Sequence, residues 1–270
     1  MGSEMCIRDR MNRWPVLLLL IFSLDSYVKE EIFLSGDLAP ISVLSENVNG
    51  VIIKVKDDNK KIIPIPYLYE DKNIFIEAIN TDIKAKYVNY GESRITIKNE
   101  SLVNLSPKDS LRVQEEAKLI ETVLASSDFS IMPSFEFIRP VKGQITSRYG
   151  KQRYINGQKR SVHLALDLDG EIGDKIIAPM KGKVVLVKDL FYTGNTVILD
   201  HGGNLFSSYA HMNEAIVSEG DFIIPGSIIG YVGSTGRVTG PHLHWTVYFE
   251  NIRINPEQFL NENFLESLLQ

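Results

Sequence analysis

Five histidines fall between positions 163 and 244, within 82 of the 270 residues of the chain, and two of them are one residue apart. In Pro241-His242-Leu243-His244-Trp245-Thr246-Val247, polar and apolar positions alternate. Side chains of a strand point alternately to its two faces, so His242, His244 and Thr246 share one face while Leu243, Trp245 and Val247 line the other. Two imidazoles side by side are poor packing groups. Each needs hydrogen-bond partners if buried, and the two repel when protonated. A divalent cation between them resolves both problems.

A second segment, Val162-His163-Leu164-Ala165-Leu166-Asp167-Leu168, places His163, Ala165 and Asp167 on one face and the leucines with Val162 on the other. A fully extended strand would separate the Cα atoms of His163 and Asp167 by roughly 13 Å, too far for a shared ion, so a bend is expected, or a place for His163 in the entering loop. His211 ends the apolar-rich Ser208-Tyr209-Ala210-His211-Met212 and offers a further group, whereas His201, in Asp200-His201-Gly202-Gly203, reads as a structural turn residue. Imidazole nitrogen and carboxylate oxygen suit zinc, and three protein ligands leave a fourth position for water. Cys6 is the sole cysteine, so no thiolate cluster competes, and no HExxH motif supplies a glutamate base. Spacing leaves open which three of His163, Asp167, His211, His242 and His244 hold the metal.

The elements that must position these groups divide the chain. Residues 130–270 are Gly-rich and strand-like, and Asn255-Pro256 opens a terminal helix carrying Phe259, Leu260, Phe264, Leu265 and Leu268. Residues 105–129 form a connecting helix and linker. Ser106 is its N-cap, Pro107 lies in its first turn, and Leu111, Ala117, Leu119, Ile120, Val123 and Leu124 give it an apolar face. Residues 27–104 alternate as short strands (Val51 to Val55, Ile62 to Ile65, Arg94 to Lys98), with Asp57-Asp58-Asn59 as a turn and Pro64 and Pro66 indicating an edge. A small β-sandwich is expected there. From 30 to 130 the chain has 12 basic and 17 acidic residues and no histidine, the profile of a binding, positioning or regulatory module. The fold class is therefore mainly β: an N-terminal β-sandwich, a connecting helix and a C-terminal antiparallel-β domain with a terminal helix.

Before these, Arg13 and the apolar run from Val16 to Leu24 resemble a secretory signal peptide over residues 1–26, with Met11 the better start and residues 1–10 a spurious extension. Nine residues, interrupted only by Ser23, are far short of the ~20 a spanning helix needs. The chain is expected to be exported to the periplasm or cell envelope, with no stable membrane span after signal cleavage. Its net charge of -5 argues against broad nucleic-acid binding.

HLALD (163–167), SYAHM (208–212) and GSTGRVTGPHLHW (233–245) together resemble the three signatures of the lysostaphin-type, or LytM-like, zinc metallopeptidases. GDKIIAPMKGKVV (173–185) and GNTVILDHG (194–202) fit the pattern between them, and the likeness extends over about 138–258. Ala165 stands where glycine is common. The resemblance implies zinc, one per chain, held by His163, Asp167 and His244, with His211 and His242 as the catalytic histidines. It also implies hydrolysis of peptide cross-links in peptidoglycan, stem-peptide cross-links rather than glycine bridges. From Arg139 to Arg160 there are seven basic residues and no acidic one, and this run leads into His163. Arg153, Tyr154, Asn156 and Arg160 are the substrate-contact candidates from it.

Two other classes compete. A catalytically silent module of the same fold would bind cell wall or activate another hydrolase. Under either reading the N-terminal domain offers a place for a regulatory protein. A lipoyl-type carrier, suggested by Gly220 to Gly226, leaves the histidines unexplained and needs a modifiable lysine at a hairpin tip.

Overall fold

Four long strands, Gly182–Leu190, Gly194–Asp200, Leu205–Ala215 and His242–Phe249, are consecutive antiparallel neighbours and form the centre of the molecule. The sheet continues from His242–Phe249 to Leu166–Asp169 and Ile145–Ser147. The computed structural model describes residues 32–43, 52–55, 58–76 and 81–269. The expected leader at 1–26 lies outside them. Among the described residues no helix is long and apolar enough to cross a membrane.

The central strands Gly194–Asp200 and Leu205–Ala215 are buried on both faces over most of their length, so apolar residues stand on both sides of each. Val197, Leu199, Leu205, Trp245, Val247 and Phe249 turn into the main core. Their neighbours Ile198, Phe206 and Tyr248 turn to the opposite face, where they meet Leu186, Leu190 and the last turn of a helix, Val123 and Leu124. That helix, Pro107–Leu124, is capped as its sequence demands: the Ser106 side chain accepts from the Asp109 backbone N–H at 3.1 Å. Burying Val123 and Leu124 contributes about 1.5–3 kcal/mol each. The apolar face expected along the whole helix is buried only at this end. Leu111 remains 61% exposed, and the first turns are tied to the sheet by polar contacts instead, Arg112 to Asp189 and the Phe191 N–H to Glu116.

The N-terminal strands form two three-stranded sheets, one from Leu38–Val43, Asp58–Pro64 and Ile52–Val55, the other from Ile32–Leu34, Thr81–Lys86 and Lys72–Ile76. The two share one cluster that includes Ala39, Ile41, Ile63, Ile65, Ile76 and Ile83. Two details differ from the sequence expectation. Asp58–Pro64 is the central strand of its sheet, not an edge, because Pro64 occupies its last position opposite Leu38, where a missing N–H costs least. Asp58 and Asn59 belong to that strand rather than to a turn.

The next strand, Glu92–Ile95, pairs in parallel with Lys151–Ile155, whose antiparallel neighbour is Gln158–His163. The segment before the connecting helix thus lies against the strands that lead into His163. At the other end, the single helix expected after Asn255 is two pieces, a 3-10 turn at Pro256–Leu260 and a helix at Phe264–Leu269. Asn261 adopts an extended conformation between them, and Phe259 and Phe264 still reach the core.

Candidate active site

Strand pairing brings two of the candidate ligands together. Asp167 and His244 are direct cross-strand partners in the antiparallel pair Leu166–Asp169 and His242–Phe249. The His244 Nδ1 lies 2.7 Å from Asp167 Oδ1. His163 ends its own strand, and Leu164 and Ala165 break the extended chain before Leu166 resumes it. The break lets His163 Nε2 reach Asp167 Oδ1 at 3.0 Å and His244 Nδ1 at 3.2 Å. One donor atom from each of His163, Asp167 and His244 lies within 4.8 Å of the other two.

The protonation states suit a cation. The His163 Nδ1–H donates to the Arg148 carbonyl at 3.1 Å, which leaves its Nε2 lone pair facing the cluster. Burial pushes the His244 imidazole down to about 4, although Asp167 opposes this, so it is neutral at physiological pH. Burial alone would raise Asp167, but the His244 and His163 imidazoles outweigh it and hold the carboxyl well below its usual range. Arg153 donates to the second carboxylate oxygen at 3.1 Å, leaving Oδ1 to the histidines. A neutral His244 imidazole and an ionised Asp167 carboxylate are the states a divalent metal requires of them, and with the His163 Nε2 this donor set fits zinc.

His211 and His242 stand beside this cluster. Opposite Asn195 and Val197, the strand Leu205–Ala215 advances three residues, from Tyr209 to Met212, while its partner advances two. This bulge puts His211 at φ 62° and re-aims its ring. Its backbone N–H donates to the Thr193 carbonyl and its Nδ1 to the Thr235 carbonyl, both at 2.8 Å. The ring centroid is 4.9 Å from that of His242 and 5.5 Å from that of His244. Burial, then His244 and His242, hold His211 well below its ordinary pKa. His242 donates from Nδ1 to the Gly240 carbonyl at 2.9 Å, and its Nε2 lies 3.9 Å from Asp167 Oδ1.

His201 is elsewhere and is fully engaged. Its Nδ1 bonds the Lys181 carbonyl at 2.7 Å and its Nε2 pairs with Ser207 Oγ at 2.6 Å, with no surface exposed. Of the substrate-contact candidates, Arg153 and Arg160 border the cleft with His163, His211 and His244. Tyr154 is covered by the Arg94 guanidinium at 4.1 Å. The Asn156 side chain bonds the backbone of Ile97 and the Glu100 carboxylate, so both residues tie the cleft wall to the N-terminal segment. One cleft residue had not been singled out from the sequence. Arg237, in the loop before Pro241, lines the cleft on both sides of His211 and stacks on Tyr192 at 4.0 Å. It lies in a Gly-rich run without periodicity, where no pattern assigns a direction to a side chain.

Residues 161–256 match the model of peptidase family M23. The peptidoglycan DD-endopeptidase ShyA of Vibrio cholerae is 33% identical over 115 residues, 42% of this chain and 27% of that protein. An uncharacterized metalloprotease of Buchnera aphidicola subsp. Baizongia pistaciae is 27% identical over 231 residues, 78% of this chain and 61% of that one. The chain thus spans between about a quarter and three fifths of the length of these relatives. A Pseudomonas aeruginosa crystal structure described as a peptidase M23 superimposes with a TM-score of 0.66 and 23% identity, covering 86% of this chain and 97% of that one, a likeness of fold.

Proposed function

We propose that this chain, which carries a peptidase family M23 domain at residues 161–256, is a zinc-dependent endopeptidase that hydrolyses peptide cross-links of peptidoglycan. The observation that carries this reading is the convergence of His163, Asp167 and His244 on one point, with two further histidines within ring-to-ring reach. The endopeptidase named among the relatives supports the substrate class.

In this reading His163, Asp167 and His244 would hold one zinc ion. Bound there, zinc would polarise the scissile carbonyl and lower the pKa of water toward ~7. The remaining work belongs to side chains. His211 is kept neutral by burial, and its Nδ1–H is committed to Thr235, so Nε2 accepts the proton of the attacking water. His242 is fixed from its other nitrogen by Gly240. With a proton on Nε2 it hydrogen-bonds the developing oxyanion, while the proton taken up by His211 passes to the leaving amine. Arg153 positions Asp167 by occupying its second oxygen. Residues 130–270 form the catalytic domain, 105–129 the connector, and 27–104 an accessory domain that positions or regulates it, alone or through a protein partner. The leader at 1–26 directs export to the periplasm or envelope, where the substrate lies.

The deciding experiment is mass spectrometry of fragments released from purified peptidoglycan by the zinc-loaded protein. New amino and carboxyl ends within the cross-link support the proposal. Zinc binding without any released ends would instead favour the catalytically silent module.

A further inference from the structure

Three arginines from separate stretches of chain converge on one side of the cleft. Arg153 lies on the strand Lys151–Ile155, Arg160 on Gln158–His163, and Arg237 in the loop after Val232; all three line the hollow that also holds His211 and His244. Arg153 and Arg160 each repel the charge on Arg237. The chain as a whole is acidic, with a net charge of -5, so this concentration of positive charge is local. The carboxylate lining the same region is Asp167, already engaged by His163, His244 and Arg153. Like charges drawn together in a partly buried cleft are costly unless an anion joins them.

The donors are incompletely satisfied. Arg160 donates to the Val103 carbonyl at 3.1 Å and to Gln158, and Arg237 to the Leu102 carbonyl at a long 3.4 Å. The Nε atoms of Arg153 and Arg160 are buried and have no hydrogen-bond partner among the described residues. Neutral carbonyls of the chain itself therefore stand where a stronger acceptor would fit. Arg237 is also held in advance of any ligand. Its N–H donates to the Tyr192 carbonyl at 2.8 Å, its guanidinium lies on the Tyr192 ring, and the preceding Gly236 sits so close to this turn that a Cβ would lie 2.6 Å from the same carbonyl oxygen.

We propose that Arg153, Arg160 and Arg237 form a carboxylate-binding subsite that selects peptide substrates bearing a free carboxylate beside the scissile bond, with Arg237 as its specificity-determining residue. This rests on the endopeptidase reading above. A carboxylate would displace the Leu102 and Val103 carbonyls, because it accepts charge-assisted, bidentate hydrogen bonds from guanidinium groups.

The test is calorimetric titration of the zinc-loaded full chain with soluble, uncross-linked stem peptide, which has no cross-link to cut. The same peptide with its carboxylates converted to carboxamides is titrated in parallel. The acid form is expected to bind about 10- to 100-fold more tightly than the amide. Arg237→Gln should lose about 10-fold for the acid form alone, and Arg237→Lys should restore part of it. Equal binding of the two forms, no binding of the acid form, or equal weakening of both by Arg237→Gln overturns the subsite. If Arg237→Gln unfolds early, Arg160→Gln is read in the same way. Cleavage of cross-linked peptidoglycan without acid–amide discrimination rejects the subsite and leaves the endopeptidase reading standing. Discrimination through Arg237 without cleavage does the reverse.

Discussion

Asp167 and His244 face each other across two antiparallel strands, and their side chains meet at 2.7 Å. The pairing is a property of sheet register. A slip of one residue would bring Trp245 or Leu243 opposite Asp167 and send the imidazole to the other face. The apolar face of His242–Phe249 opposes such a slip, because Leu243, Trp245 and Val247 are completely buried in the core. Hydrophobic packing on one side of the strand thereby holds the candidate ligand in place on the other.

Asp167→Asn and His244→Ala should each abolish stoichiometric zinc binding and peptidoglycan hydrolysis. Each removes one of three ligands and leaves its neighbours a buried, incompletely compensated site. Elemental analysis after dialysis reads the metal, and chelation followed by zinc addition should remove and restore the wild-type activity. Full zinc occupancy in either variant would disprove the ligand assignment.

His242→Ala should retain zinc while kcat falls by about 10²–10⁴, the usual contribution of a positioned proton donor. The ring contributes through Nε2 and is anchored to the Gly240 carbonyl, so its removal leaves His163, Asp167 and His244 in place. Steady-state kinetics with a soluble cross-linked peptide, alongside metal content, separates this outcome from loss of the ion.

Gly236→Ala should destabilise the protein by roughly 1–3 kcal/mol. Gly236 has φ 73°, and a Cβ there would lie 2.5 Å from the Gly194 nitrogen and 2.6 Å from the Tyr192 oxygen. The same turn holds His211 through Thr193 and Arg237 through Tyr192, so activity should fall with stability. Thermal unfolding and kcat/KM measured on one preparation check both effects. Unchanged values would show that the loop relaxes freely.

Stability should decline as pH falls from about 6.5 to about 4, in part through His201. Burial lowers this imidazole from 6.5 to about 4, so over that window the unfolded chain takes up a proton that the folded chain refuses. The full contribution is present above 6.5, and on the order of 3 kcal/mol is lost by pH 4. His201→Asn should be less stable at pH 7 but show a flatter decline between pH 7 and 5. Chemical denaturation at both pH values tests this, and an equally steep decline would count against His201.

Much of the candidate site was legible because strand alternation is local. The HxH segment presents both imidazoles on one face of a strand, and the extended distance between His163 and Asp167 asked for a bend or for His163 in a loop; the structure has the break, at Leu164 and Ala165, with His163 at the end of its strand. The Ser106 cap likewise needs only neighbouring residues. Long-range features were not legible. The bulge that turns His211 toward His242 depends on the register against Asn195 and Val197, and the central place of Asp58–Pro64 depends on which strands flank it. The exposure of Leu111 was not legible either, because the first turns of the helix meet the sheet through Arg112 and Glu116 rather than through apolar side chains.

The residue types, their alternation and the order of the segments determined that a His/Asp cluster would form on strands, and which chemistry it suits. Tertiary structure alone decided how the donors are oriented: which imidazole nitrogen faces inward, that Arg153 takes the second oxygen of Asp167, and that Arg160 and Arg237 meet the Val103 and Leu102 carbonyls. Periodicity is set by the covalent geometry of a single strand, whereas these contacts join residues 14 to 135 positions apart, and only packing and register bring them together.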